Sequence, residues 1–141
     1  MDWSGYLSDV NWLAVVLATL SSFVVGFVWY DKRVFGAKWM KLVGLSEKQM
    51  NSSEGMAQTF LMTAVAGLLG NTVMNILMLA TQTVGFIEGG IFGAVLGFTI
   101  RGGAHVIHNG FAKRSSDLTS IDLLHDTVAM ALAGAIIGAL I

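Results

Sequence analysis

GFIEGGIFGAVLGFTIRGGAHVIHN, residues 85–109, is the stretch whose reading decides the fold. Gly85, Gly89, Gly93 and Gly97 recur every four residues, which on a helix leaves a strip without side chains where another backbone can come close. The same spacing continues through Arg101, His105 and Asn109, joined by His108, so a helix that begins smooth and apolar ends polar and titratable. Four residues advance a helix by about 400°, so the ladder drifts roughly 40° per step and its two halves need not face one partner.

Working outward, the composition sets the class. The chain has 141 residues, 55% of them hydrophobic and only 12% charged, against about 25% charged in soluble domains. The mean hydropathy is +0.70. No Asp, Glu, Lys or Arg occurs between Asp9 and Asp31 or between Glu54 and Glu88, and a membrane span needs about 20 apolar residues. The fold class read from this is an all-α integral membrane protein with four transmembrane helices in one domain. Cysteine is absent, which excludes disulfides, thiolate metal sites and a thiol nucleophile.

Taken in order, the acidic start with Asp2 and Asp9 lacks the basic region of a signal peptide, so the first apolar run is expected to be retained. Span one reads as about 10–30. Trp3, Tyr6 and Trp12 stand at one end and Trp29 and Tyr30 at the other; with Trp39 they form an aromatic belt of interface anchors. Residues 31–50 read as an amphipathic interfacial helix, with Lys32, Arg33, Lys38, Lys41 and Lys48 interleaved with apolar residues. Gly44 is expected to end it, and Ser46 with Gln49 has capping-box spacing. This segment reads as a basic loop that meets anionic lipid.

After a polar linker at 51–55, span two (about 56–80) carries Asn71 and Asn75 one turn apart, either hydrogen-bonded to another helix or lining a polar path. Span three is expected at about 87–110 and span four at about 120–141, capped by Thr119 or Ser120. Span four repeats the small-residue pattern in Gly134 and Gly138. Two glycine-bearing faces exceed what one hairpin needs, which points to a homo-oligomer.

All eight basic residues lie between spans one and two, between spans three and four, or on span three near that second loop. The positive-inside rule puts both basic loops in the cytoplasm and both termini outside. The partners expected are the lipid bilayer and copies of the chain itself, with no nucleic acid.

The run Asn11-Trp12-Leu13-Ala14-Val15, then Gly26 with Trp29-Tyr30, Phe35-Gly36, Trp39-Met40 and Gly44-Leu45, resembles a family of small bacterial membrane proteins. The family is the domain of unknown function numbered seventeen sixty-one. His125 followed by Gly134-Ala135-Ile136-Ile137-Gly138 resembles its last span. The resemblance covers nearly the whole chain and implies a four-span fold; with the orientation read from the basic residues, the expected location is a bacterial inner membrane with both termini periplasmic. It brings no reaction and no catalytic residue.

A hairpin of spans three and four centred near Ser115 would set His105 level with His125, His108 with Asp122, and Arg101 within a turn of Asp126. Asp122, His125 and Asp126 share one helical face. Three readings of this group stay open. It is a structural set of interhelical bonds and a charge pair; or a pathway for protons or a small cation; or a divalent metal site, zinc-like, using His105, His108, His125 and Asp122. The chain reads as a non-enzymatic, homo-oligomeric structural or regulatory membrane component, with a small proton- or cation-conducting transporter or a metal-binding protein as the alternative.

Overall fold

The computed structural model describes residues 3–50 and 52–141. Asp2 and Asn51, and with them the belt reading of the Trp3 side chain, lie outside the described residues. The fold is all helical. A short helix α1 (Trp3–Ser8) precedes α2 (Trp12–Trp29); α3 (Gly36–Val43) and α4 (Glu47–Met50) follow; then come α5 (Met56–Thr81), α6 (Phe86–Leu96), a π-helical segment (Gly97–Gly102), α7 (Gly103–Phe111) and α8 (Ser116–Leu140). Four helices are long and apolar enough to cross a membrane: Trp12–Trp29, Met56–Thr81, Phe86–Phe111 and Ser116–Leu140. Leu13, Leu69 and Ile87 on their outer faces are 65–68% exposed, as surfaces that meet acyl chains rather than water should be.

Span four is the centre of the bundle, packed along spans three and one and touching span two. The buried core takes small and flexible side chains from three spans: Ala14 and Ala18, Met74 and Met78, Ala133 and Ile137. Asn11 closes the end of the bundle opposite the basic loops. Its side chain caps span one on the Ala14 N–H (3.1 Å) and its amide donates to the Leu140 carbonyl (2.8 Å), tying the start of span one to the end of span four.

The glycine ladder is used within one chain. A Cβ on Gly89 would collide with the Gly134 carbonyl oxygen, one on Gly93 with the Met130 carbonyl oxygen, and one on Gly134 with the Gly89 carbonyl oxygen. Both glycine-bearing faces are thus spent on each other, so the two faces that pointed to a homo-oligomer are accounted for by the intrachain hairpin. Gly85 differs from the expectation that it is a rung of the helix. It precedes α6 with φ 107, and its N–H donates to the Gly138 carbonyl at 2.7 Å.

The hairpin turn also lies earlier than expected. Ser115, in extended conformation, caps span four by accepting the Leu118 N–H at 3.2 Å. Thr119 and Ser120 instead sit inside the helix, their hydroxyls bonded back to the Ser115 and Ser116 carbonyls. The register moves with the turn: Gly93 meets Gly134, where a hairpin centred on Ser115 would have brought Ile137. The sequence reading also missed the π-helical turn in span three.

The 31–50 segment is only partly the lipid-lying helix expected. Gly44 ends α3 at φ 78, and Ser46 and Gln49 form the reciprocal capping box. A Cβ on Gly36 would collide with the Tyr30 carbonyl oxygen, so the turn at 31–35 folds tightly and brings α3 back against span four. Lys38 then reaches Asp117 at 2.7 Å.

Candidate functional site

The site is a polar cluster at the basic ends of spans one, three and four. Its hub is Asp126, which is 4% exposed. A carboxylate removed from water is costly unless paired and hydrogen-bonded, and this one has three partners. Its Oδ2 is ion-paired with Arg101 Nε at 3.1 Å and lies 3.1 Å from His105 Nε2; its Oδ1 lies 3.1 Å from His125 Nδ1. An ionised carboxylate only accepts, so the hydrogen bonds require a proton on His105 Nε2 and on His125 Nδ1.

Backbone geometry brings these groups together. Gly97 has no Cβ, and one there would stand 2.8 Å from the Asp126 carbonyl oxygen, so span four comes close at this level. The π segment that begins at Gly97 adds an extra residue to the turn and ends with Gly102 tucked against Leu123. Arg101 and His105, on either side of its end, both reach one carboxylate oxygen.

A second hub lies one turn outward. Asp122 Oδ1 accepts from Tyr30 Oη (3.0 Å) and from Trp39 Nε1 (3.1 Å), while Trp29 Nε1 donates to the Ile121 carbonyl (3.2 Å). Burial, with Asp122 beside it, pushes the Tyr30 phenol above its ordinary range, so Tyr30 remains a neutral donor. Trp29, Tyr30 and Trp39 thus fasten the protein to itself, whereas Trp12 is 58% exposed. This signal was legible, since a half-buried Tyr or Trp needs an acceptor for its O–H or N–H.

The His125 ring joins the hubs. It lies 5.0 Å from the Tyr30 ring and 6.1 Å, edge-on, from the Trp29 ring. Its Nε2 is buried without a hydrogen-bond partner and is directed toward Gly26 of span one.

Not every residue expected here belongs here. His108 is exposed, and none of the bonds that hold Asp122 and Asp126 comes from it. Asn109 is partly buried, with an amide nitrogen that has no partner, and makes no bond to either aspartate. The set His105, His108, His125 and Asp122 is not assembled, and among the described residues no group of three His, Asp or Glu is placed to hold a metal ion. Asn71 donates to Thr19 Oγ1 at 3.0 Å, an interhelical bond between spans two and one. Asn75 is fully buried, and neither of its amide atoms has a partner.

Residues 13–138 match the family described as protein of unknown function (DUF1761). The chain belongs to that family. No curated protein and no solved structure matches it. The DUF1761 match runs from span one to the end of span four, so both hubs, Asp122 and Asp126, lie within the family's own extent. In this DUF1761 member the arrangement holds a buried carboxylate between a guanidinium and two imidazoles and links span three to span four, with the His125 ring packed on Tyr30 and Trp29.

Proposed function

We propose that this protein is a non-enzymatic regulatory component of a membrane in which the Asp126 cluster is a protonatable latch between spans one, three and four. The observation that carries this reading is a single buried carboxylate shared by Arg101, His105 and His125, with the last of these packed on span one. Imidazole is the side chain whose charge changes between pH 5 and 8. Protonation of either ring would add positive charge beside Arg101, at a carboxylate, Asp126, that is already shared by three partners. The latch reading is favoured over a conduit because the cluster's bonds close on one another: Arg101, His105 and His125 all meet the one Asp126 carboxylate.

The Trp29 and His125 ring contact supplies the test. Purified protein in lipid nanodiscs should change tryptophan emission between pH 8 and pH 5, since an imidazolium quenches an adjacent indole. His125→Gln should remove the change and His108→Gln should keep it. Equal pH responses in both variants, or proton flux through the wild type in liposomes, would overturn the latch.

We also propose a bacterial inner membrane location with both termini periplasmic, supported by the distribution of the eight basic residues. Ser8→Cys and Ser116→Cys, both at exposed positions, should label from opposite faces of intact membranes with an impermeant maleimide. Labelling from one face sinks this orientation.

A further inference from the structure

The fold brings together two basic segments that are separate in sequence. Lys38 and Lys41 on α3 and Lys113 and Arg114 in the hairpin turn line one groove of about 530 Å³, with Leu42 as an apolar wall. Its floor is Ser115 and Asp117, at the N-terminus of the 25-residue helix α8. Lys38 is spent on Asp117, whereas Lys41, Lys113 and Arg114 have no ion pair among the described residues. Three uncompensated cations therefore converge beside the positive end of a long helix dipole.

We propose that this groove is a specific site for the phosphodiester of an anionic phospholipid. The expected basic loop would meet such lipids diffusely, through independent side chains. The structure instead fixes the cations around one cavity, because the Gly36 turn folds α3 onto span four and Lys113, at φ 53, turns the chain sharply after α7. Depth selects a lipid over a soluble anion. Ser116 stands six residues, about 9 Å, outward of Asp122, where Tyr30 and Trp39 mark the interface, which is the level of the headgroups. Leu42 borders the site, and Phe111, 90% exposed, ends span three next to the turn that carries Lys113; both give apolar contact for the glycerol and upper acyl carbons. Arginine and lysine donors with helix N–H groups are the usual recognition set for phosphate.

The test is electron spin resonance of the full-length protein in phosphatidylcholine vesicles doped with spin-labelled phosphatidylglycerol. The wild type should hold a motionally restricted, saturable fraction of the label. Lys41→Gln with Arg114→Gln should weaken its association by roughly fivefold for each cation removed, the usual worth of a basic side chain at an anionic surface. Lys32→Gln with Lys48→Gln removes the same charge from the same face outside the groove, Lys32 being paired with Glu47, and should leave the restricted fraction intact. Equal losses in the two double variants would show a diffuse basic surface and overturn the site. Displacement of the labelled lipid by millimolar inorganic phosphate would overturn the assignment to lipid, leaving a site for a soluble anion.

Discussion

Replacing Gly93 with leucine should destroy the packing of spans three and four. Even the first carbon of the new side chain would collide with the Met130 carbonyl oxygen and come within 3.2 Å of the Gly134 Cα, and both obstacles are backbone that no rotamer change can move. Ordinary overpacking costs about 1–3 kcal/mol when side chains can shift; a collision of backbone with backbone should exceed that and separate the hairpin. Alanine gives a sharper test of sign. In a helix interior alanine is favoured over glycine by roughly 1 kcal/mol, so Gly103→Ala, where the added carbon meets nothing within 4 Å, should be neutral or stabilising. Gly93→Ala should be destabilising. Unfolding in mixed detergent micelles, followed by circular dichroism, reads both; equal stability of the two alanine variants would show that Gly93 is not a contact residue. A side chain at Gly44 would be strained for a different reason, its φ of 78.

Replacing Asp126 with alanine should have the next largest effect. It leaves Arg101, His105 and His125 without their shared acceptor, and removing one partner of a buried ion pair costs about 3–5 kcal/mol. Arg101 is 57% exposed on its side chain and can extend toward the nearby interface, so the loss should fall at the low end, about 3 kcal/mol. Removing both charges, Asp126→Leu with Arg101→Met, should recover much of this, because apolar replacement of a buried pair is often close to neutral. Strict additivity of the two changes, measured in the same micelle titration, would mean that the pair is not coupled. Loss of Asp126 should also remove the pH response of tryptophan emission, since His125 would no longer be held against Trp29.

How much of this was legible beforehand follows from the range of the forces involved. Four spans could be read because the exclusion of charge from a hydrocarbon layer about 30 Å thick acts on every residue of a segment. The Gly44 terminus and the box of Ser46 and Gln49 could be read because they are made by neighbours in the chain. The pairing of Arg101 with Asp126 was legible for a similar reason: once spans three and four form a hairpin, few partners are within reach of a cation at that depth.

The rest depended on a register that no local rule sets. Ser115, Thr119 and Ser120 are all good caps, and only packing of the glycine faces, Gly89 on Gly134 and Gly93 on Met130, selects the first of them. That choice carried His108 out of the cluster and dispersed the expected metal ligands. It likewise spent both glycine faces inside one chain. The partners of Asp122 were hidden because Tyr30 and Trp39 come from 92 and 83 residues away, through a turn at Gly36 whose tightness shows only in three dimensions. By itself the sequence determined which segments enter the membrane and which residues carry charge there, because both are paid in solvation free energy residue by residue. The tertiary structure alone decided which of those charges meet, because contacts at about 3 Å depend on helix register, which van der Waals packing of backbone against backbone fixes.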